Sequence, residues 1–269
     1  MDSIKRFTSK IKLGPIQLRK TAAKKLDTSK VKYSWKDKQK NIQIPKRLTS
    51  KLAEEIGIHL GDGFLSKKRN DFRVKGHQID EREYYDKHIK KLYRNVYNLD
   101  LKIKDYENTY GFEECSKALW TFKTRVIGIQ AGRKYSIQIP ELIRKGDQEV
   151  VTSFLRGMFD TDGNLKFQSL YSHQGYYPVI SLWQRSEKLT LGIGELLKLL
   201  GLKPTFYTSK EDKGLGVILS GYANFERFNS LIHFNNSKHV KKIERFNQEN
   251  PGQLKKFGKV IHIPVKDRS

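Results

Sequence analysis

Two short segments of this 269-residue chain end in the same way, and they lie 100 residues apart. Three residues match at that single offset: Gly57 with Gly157, Asp62 with Asp162, and Gly63 with Gly163. Apolar residues precede each Asp-Gly pair at helical spacing, so each segment is predicted to be a helix with a carboxylate at its end. Two such helices, packed side by side, would bring Asp62 and Asp162 together. The chain is therefore predicted to contain an internal duplication built around a pair of carboxylates.

The two segments resemble the LAGLIDADG motif of homing endonucleases in its two-copy, single-chain form. The copies keep the following residues of the motif: Gly57, Asp62 and Gly63 in the first, and Leu155, Gly157, Asp160, Asp162 and Gly163 in the second. The first copy departs at the sixth position, where Leu60 replaces the usual Asp, but that position is not a metal ligand in the family. The resemblance covers roughly residues 44–246. It implies an α+β fold of two pseudo-symmetric αββαββα repeats, which form a DNA-binding saddle of two antiparallel sheets with the motif helices at the central interface.

The segments that follow the two motifs share one order of predicted elements. Apolar spacing and alternation predict a helix, two strands, a helix, two strands and a helix in each unit, with the second motif helix at 148–161. This order is typical of an α+β fold rather than of repeated βαβ units. The predicted division is a basic N-terminal arm at 1–47, a first repeat at 48–146, a second repeat at 147–258 and a C-terminal tail at 259–269.

The net charge indicates a polyanionic partner. The formal charge is +24, and residues 1–47 carry 15 Lys and Arg against 3 Asp and Glu, a net of +12. Self-repulsion of such an excess opposes compaction, so DNA or RNA is the expected partner and a membrane surface is disfavoured. The arm at 1–47 is expected to contact nucleic acid, although a flexible solubilising extension would have the same composition.

The single cysteine and the start of the chain indicate an intracellular protein. Cys115 alone can form neither a disulfide framework nor a cysteine-based zinc site. No secretory signal and no apolar run of membrane-spanning length is present in the sequence. We therefore expect the cytoplasm, or an organelle or the nucleus in a eukaryote. Since no splicing-domain segment flanks the repeats, a free-standing, intron-encoded origin is expected rather than an intein.

The matched carboxylates Asp62 and Asp162 are predicted to bind divalent metal. Either residue alone would more often be an ordinary turn or helix cap. As a pair of hard oxygen ligands without nearby His or Cys, they suit Mg²⁺ better than zinc. The resemblance implies two or three ions, with Mn²⁺ or Ca²⁺ as substitutes, and the backbone carbonyls of Gly61 and Thr161 as further ligands. Asp160 is expected to have a structural role.

Small residues four apart on each motif helix are predicted to form the helix interface. Gly57 and Gly61 make one such pair, and Gly157 and Thr161 make the other. Small side chains allow two helix backbones to approach closely. The same spacing sets how near the two carboxylates can come.

The resemblance also implies polar and basic residues around the metals. Gln78 and Gln184 are expected to order water there, Lys134 and Lys238 to act near the end of each repeat, and Arg185 to lie near the cleavage centre. Strand-end hydrogen bonding is an equal alternative for the two glutamines. Solvated or phosphate-facing charge is an equal alternative for the lysines.

Polar, basic and aromatic residues on strand-like segments are predicted to bind DNA. These residues are Arg73, Lys75 and His77 in the first repeat, and Lys166, Gln168, Tyr171 and His173 in the second. Two sheets lining a groove could read bases through Arg–guanine and Gln–adenine contacts. An exposed sheet face without a ligand is the alternative.

Together these features predict a monomeric, site-specific double-strand DNA endonuclease that hydrolyses phosphodiester bonds with Mg²⁺ at a long asymmetric target. Two alternatives keep the same scaffold. One is an RNA maturase that binds intron RNA and assists splicing, and the other is a non-catalytic DNA-binding regulator.

Overall fold

The computed structural model describes residues 24–169, 176–208 and 213–252. The first repeat contains helix α2 (Ser50–Gly61), strands β1 (Gly63–Leu65) and β2 (Asp71–His77), helix α3 (Arg82–Tyr84), a π-helical segment (Tyr85–Ile89), helix α4 (Lys90–Tyr97), strands β3 (Lys104–Asp105) and β4 (Thr109–Cys115), helix α5 (Lys117–Thr121) and a second π-helical segment (Phe122–Ile127). A short helix α1 (Trp35–Gln39) precedes it. Over the described parts of the chain, no helix has both the length and the apolar character that crossing a membrane requires.

The second repeat has the same order of elements. After a connecting helix α6 (Glu141–Arg144) come helix α7 (Gln148–Thr161), strands β5 (Gly163–Ser169) and β6 (Tyr176–Gln184), helix α8 (Glu187–Leu199), strands β7 (Thr205–Tyr207) and β8 (Leu215–Ser220), helix α9 (Tyr222–Leu231) and an additional helix α10 (Ser237–Glu249). The predicted α+β architecture of two αββαββα repeats is thereby confirmed.

The two sheets have matching topologies and matching registers. Their strand orders are β1-β2-β4-β3 and β5-β6-β8-β7, and all neighbouring strands are antiparallel. The glycine that ends each motif pairs with an equivalent residue, since Gly63 lies opposite Val74 and Gly163 opposite Leu182. Two residues further along each second strand, Gly76 therefore corresponds to Gln184. This correspondence fixes which side chains can reach the two carboxylates.

The motif helices α2 and α7 pack against each other through glycine. A Cβ atom on Gly57 would lie 2.2 Å from the carbonyl oxygen of Phe154, and one on Gly157 would lie 2.2 Å from that of Glu54. Since the obstacles are backbone atoms, a larger side chain would push the helices apart. At the helix ends, a Cβ on Gly61 would lie 2.0 Å from the Thr161 hydroxyl. The small residues predicted for the interface thus lie where the two helices touch.

Residues 24–47 pack against the first repeat. Leu26 and Ile42 are buried, the backbone N–H of Gln43 donates to the Tyr97 carbonyl, and that of Lys32 donates to the Thr121 hydroxyl. Its positive charge places this stretch in the predicted basic arm, yet the fold attaches it to the first repeat. Its fixed position comes from tertiary hydrogen bonds. The remainder of the predicted arm, residues 1–23, lies outside the described residues.

Candidate metal-binding and catalytic site

Asp62 and Asp162 lie side by side at the ends of the motif helices. Each directly follows its helix and donates its backbone N–H to a carbonyl of the last turn. A Cβ on Gly61 would lie 3.1 Å from Asp162 Oδ2, which shows how closely the two helix ends approach. The hydroxyl of Tyr85 donates to Asp62 Oδ2 at 2.9 Å. The Gln184 amide donates to Asp162 Oδ2.

The pKa values of both carboxyls are raised. For Asp62, burial raises the pKa most, and the neighbouring Glu81 and Asp162 raise it further. For Asp162, burial again has the largest effect, and it is opposed by Lys134, the Gln184 hydrogen bond and Lys238. Two half-buried carboxyls that resist joint ionisation form an environment in which a cation is favourable. The pair therefore fits a divalent metal.

Two lysine ammonium groups lie at the carbonyl ends of the motif helices. Lys134 Nζ donates to the carbonyl oxygens of Leu60 at 2.8 Å and His59 at 3.4 Å, and also to that of Gly61. Lys238 Nζ donates to the Thr161 carbonyl at 3.3 Å. The carbonyls of Gly61 and Thr161 were predicted as backbone metal ligands, and here each accepts a hydrogen bond from a cation.

The carboxylate pair also affects the pKa of Lys134. Burial lowers the pKa of Lys134, and the carboxylates Asp162 and Asp62 oppose that change. Among the described residues, no cluster of three or more His, Cys, Asp and Glu has metal-binding geometry. The carboxylates of Asp62 and Asp162 are hard oxygen ligands of the kind that Mg²⁺ takes, whereas the carbonyls of Gly61 and Thr161 are engaged by the two lysines in this structure.

Gln78 does not lie beside the carboxylates, in contrast to Gln184. Its amide donates to Asp105 Oδ1 at 3.1 Å on an exposed edge of the first sheet. The expected parallel between the two glutamines fails because the strand registers match Gln184 with Gly76. Arg185 follows Gln184 at the strand end, and its guanidinium lies 3.5 Å from the Tyr135 hydroxyl.

Glu81 and Tyr85 reach the site without having been predicted from the sequence. The Glu81 carboxylate is 3% exposed and lies 2.6 Å from Lys238 Nζ. The signal that could have identified both residues is Gly76, which leaves empty the space that a side chain would fill. Reading that signal requires the strand register.

Asp160 holds the segment that leads to Lys238. It accepts hydrogen bonds from the backbone N–H groups of Asn235 and Asn236 at 3.0 Å each, and its backbone carbonyl accepts one from the Asn236 amide at 2.7 Å. Burial raises the pKa of Asp160 to about 7, while the Asn236 backbone hydrogen bond opposes this. These contacts agree with the structural role expected for Asp160.

On the first sheet, the basic residues predicted to bind DNA point away from the core. Arg73 and His77 are exposed and Lys75 is half-buried. Glu113 lies between two of them, 2.6 Å from Lys75 and 3.8 Å from Arg73. The Lys75 ammonium also lies 3.3 Å from the centre of the Tyr106 ring. This face therefore carries basic side chains along β2 with the Glu113 carboxylate beside two of them.

The second sheet presents a different face. Lys166 and Gln168 are exposed, and the Tyr177 hydroxyl donates to Gln168 at 2.6 Å. None of its four strands contains an Asp or a Glu. Tyr171 and His173, also predicted to bind DNA, lie outside the described residues.

Comparison with protein-family models supports the second motif. Residues 149–233, most of the second repeat, match the family described as LAGLIDADG-like domain. The first repeat has the same strand order and register. The resemblance to the LAGLIDADG family is thus confirmed.

One curated relative and several solved structures are also similar. Over 209 residues the chain is 25% identical to glutamine–fructose-6-phosphate aminotransferase (isomerizing) of Methanocaldococcus jannaschii, a match that covers 76% of this chain and 18% of that protein. The chain thus spans less than a fifth of that relative. The homing endonuclease I-DmoI in complex with DNA and Ca is 17% identical, with a TM-score of 0.49 and coverage of 73% of this chain and 97% of that one. I-SmaMI bound to uncleaved DNA is 12% identical, with a TM-score of 0.48 and coverage of 75% and 92%.

Proposed function

We propose that this chain is a site-specific double-strand DNA endonuclease of the homing type. The observation that carries the proposal is the pair Asp62 and Asp162 at the touching ends of two glycine-packed helices, with one lysine ammonium at each helix end. The match of residues 149–233 to the LAGLIDADG-like domain supports it. A monomer would suffice, because one chain supplies both carboxylates.

Asp62 and Asp162, with the carbonyl oxygens of Gly61 and Thr161, would hold divalent ions, Mg²⁺ in the first place. A bound ion lowers the pKa of the attacking water and offsets charge on the departing oxygen. Gln184 fixes the orientation of the Asp162 carboxylate and Tyr85 fixes that of Asp62.

Lys134 and Lys238 place one positive charge at the end of each motif helix, near the carboxylate pair. Fixed cations stabilise negative charge that develops on a phosphate during hydrolysis, and they do so most strongly where water is excluded. Each lysine would therefore serve the scissile phosphate nearest its own motif helix. Arg185, exposed at the end of its strand, could add a further contact to phosphate.

The outer faces of the two sheets would read the DNA sequence. Their side chains differ, since Glu113 holds Arg73 and Lys75 on one face whereas the strands of the other carry no acidic residue. The target is therefore expected to be asymmetric. Two sheets that each follow about one helical turn would cover roughly 20 base pairs.

The test is to select cleavable sites from a randomised duplex library, incubated with the protein in Mg²⁺ and, as a control, in EDTA. We expect one asymmetric sequence family, cut in both strands and only when metal is present. A protein that cleaves no duplex in Mg²⁺ or Mn²⁺ would contradict the proposal. RNA-against-duplex competition would then separate a maturase, which prefers intron RNA, from a DNA-binding regulator.

A further inference from the structure

The two halves of the site differ at one equivalent position. Gln184 contacts Asp162 in the second repeat, whereas the register places Gly76 at the same position in the first. The space beside Gly76 is filled from elsewhere in the chain. A Cβ on Gly76 would lie 2.2 Å from Glu81 Oε2 and 2.9 Å from the Tyr85 ring. Glu81 thus occupies the place that a strand side chain fills in the second repeat.

Both oxygens of the Glu81 carboxylate accept hydrogen bonds, and two of these bonds come from residues of the second repeat. Its Oε2 accepts the backbone N–H of His77 at 2.6 Å. Its Oε1 accepts the Asn236 amide at 2.9 Å and the Lys238 ammonium at 2.6 Å. With both oxygens bonded and only 3% of the residue exposed, Glu81 acts as a fixed anchor. The side chain that it anchors is a lysine of the proposed cleavage site.

Lys134, the counterpart of Lys238, is held in another way. Its ammonium rests on the carbonyl oxygens of His59, Leu60 and Gly61. Glu81 precedes the helix after the second strand, and the residue in that place in the second repeat is Ser186. The Ser186 hydroxyl donates to the Ile137 carbonyl. The carboxylate anchor is therefore a feature of one half of the site.

We propose that Glu81 is a positioning residue for Lys238, and that it makes the two cleavage centres unequal. This inference rests on the proposed nuclease function. A lysine ammonium on a flexible four-carbon stem has many rotamers, and an ion pair with a fixed carboxylate restricts them. Such positioning speeds a reaction only where the positioned group acts. Glu81 therefore positions the lysine of one half of the site, although its charge also lies beside Asp62 of the other half.

The kinetic test measures cleavage of each strand separately in single-turnover reactions. Lys238→Met identifies the strand that depends on Lys238, and Lys134→Met identifies the other. Glu81→Gln should slow the Lys238-dependent strand by about tenfold and the other strand by a clearly smaller factor. Glu81→Asp should recover part of the loss, and Glu81→Gln should add little to Lys238→Met. Equal slowing of both strands, or no change, would overturn the inference.

Glu83→Gln is the matched control for loss of a carboxylate on the same helix. Glu83 pairs with Lys87 at 2.9 Å and with Lys241 at 2.7 Å, and since Lys241 lies on helix α10 this control also removes a surface ion pair between the repeats. It should leave the ratio of the two strand rates unchanged. Thermal unfolding of every variant identifies any that has lost its fold.

A second readout needs no nuclease activity. Acetylation of the metal-free protein, mapped by mass spectrometry, should label Lys238 at least about three times faster in Glu81→Gln, because the ammonium is released from its ion pair. Lys134 labelling should stay constant. If no variant cuts DNA but Lys238 labelling rises, the proposed function fails and the positioning contact stands. If the labelling of Lys238 does not rise, the positioning inference fails whatever the nuclease does.

Discussion

Glu55 and Lys123 form an ion pair in the core of the first repeat, where neither side chain reaches solvent. The hydroxyls of Tyr93 and Tyr97 each donate to Glu55 at 2.6 Å, so the carboxylate is fully bonded. Burial lowers the pKa of Lys123, and Glu55 opposes that change. The pair is tolerated because each charge has a partner, and it is not by itself a source of stability.

Replacing one member of this pair should be costly. Glu55→Gln leaves the Lys123 ammonium buried without a counter-charge, so we expect a loss of about 3–5 kcal/mol in the free energy of unfolding. Chemical denaturation at neutral pH measures it. Glu244→Gln, an exposed glutamate on helix α10, is the control and should change stability little. A loss below about 1 kcal/mol for Glu55→Gln would show that the ammonium finds another partner or releases its proton.

Among the elements, helix α1 and its flanking residues attach residues 24–47 to the first repeat through one carboxylate. Asp37 Oδ2 accepts the backbone N–H of Ser34 at 2.6 Å, its hydroxyl at 2.7 Å and the backbone N–H of Ala118 at 3.1 Å. Asp37 therefore bonds at once to the start of α1 and to the start of α5. Burial raises the pKa of Asp37, but the hydrogen bonds from Ser116, Ser34 and Ala118 outweigh burial and lower it overall.

This lowered pKa predicts a pH dependence of stability. Because the folded pKa lies below the unfolded value near about 4, the contribution of Asp37 is complete above that pH. It is lost as the pH falls through the folded value. Asp37→Ala should cost about 1–2 kcal/mol at pH 7, as the loss of a helix cap does, and the difference from wild type should shrink below about pH 4. Denaturation curves at several pH values from 3 to 7 give the free energy of unfolding of both proteins across that window.

Asp27→Ala provides the matched control within the same stretch. The Asp27 carboxylate accepts the backbone N–H of Ser29 at 3.0 Å on an exposed turn, so its removal should change stability little at any of these pH values. If the stability difference between Asp37→Ala and wild type stays constant down to pH 3, the contact depends on the shape of the side chain and not on its charge.

Apolar periodicity predicts the long helices well, whereas the shorter elements depend on tertiary contacts. The second motif helix was predicted at 148–161 and is found at Gln148–Thr161. Strand Thr109–Cys115 completes the four predicted strands of the first repeat, although two adjacent glutamates interrupt its apolar alternation. One of them, Glu114, is on the inner side and pairs with Lys40 from the segment before the repeat. A sequence pattern cannot show that a charged residue on an inner face has such a partner.

The sequence also predicts those site residues that the motifs contain, but it does not show those that depend on strand pairing. The carboxylates Asp62 and Asp162 lie together because each follows the end of one of two equivalent motif helices that pack against each other. Gln78 contacts Asp105 and not the carboxylate pair, because the two strands differ by two residues in register. The sequence does not show this shift, since each glutamine stands at the end of the second strand of its repeat. Glu81 was missed since it enters the site from a helix start and not from a strand.

At the scale of the whole molecule, the charge excess extends beyond the faces of the two sheets. Within residues 24–47, Lys30, Lys36 and Lys38 are exposed on the stretch that packs against the first repeat. Long-range attraction to phosphate needs only that such charges lie near the DNA. We therefore propose that this surface contacts the backbone of DNA beside the target.

Neutralising these three lysines should weaken the salt dependence of binding. If each meets one phosphate, the triple change to Gln should flatten the slope of log affinity against log salt by about 2–3 units. Specificity should change less than affinity, since phosphate contacts position a protein without reading bases. Binding to the selected target and to an unrelated duplex at several salt concentrations gives both quantities. An unchanged slope would mean that these charges lie away from the DNA.

The central claim is that Asp62 and Asp162 form one metal-dependent centre for cutting DNA. The most direct measurement compares Asp62→Asn and Asp162→Asn with wild type for cleavage and binding of the selected duplex in Mg²⁺. Each single variant should lose double-strand cleavage by several orders of magnitude, because both carboxylates serve the shared centre. Each should still bind the duplex at least as tightly, since a negative charge near phosphate has been removed. Double-strand cutting at near wild-type rate by either variant would contradict the account.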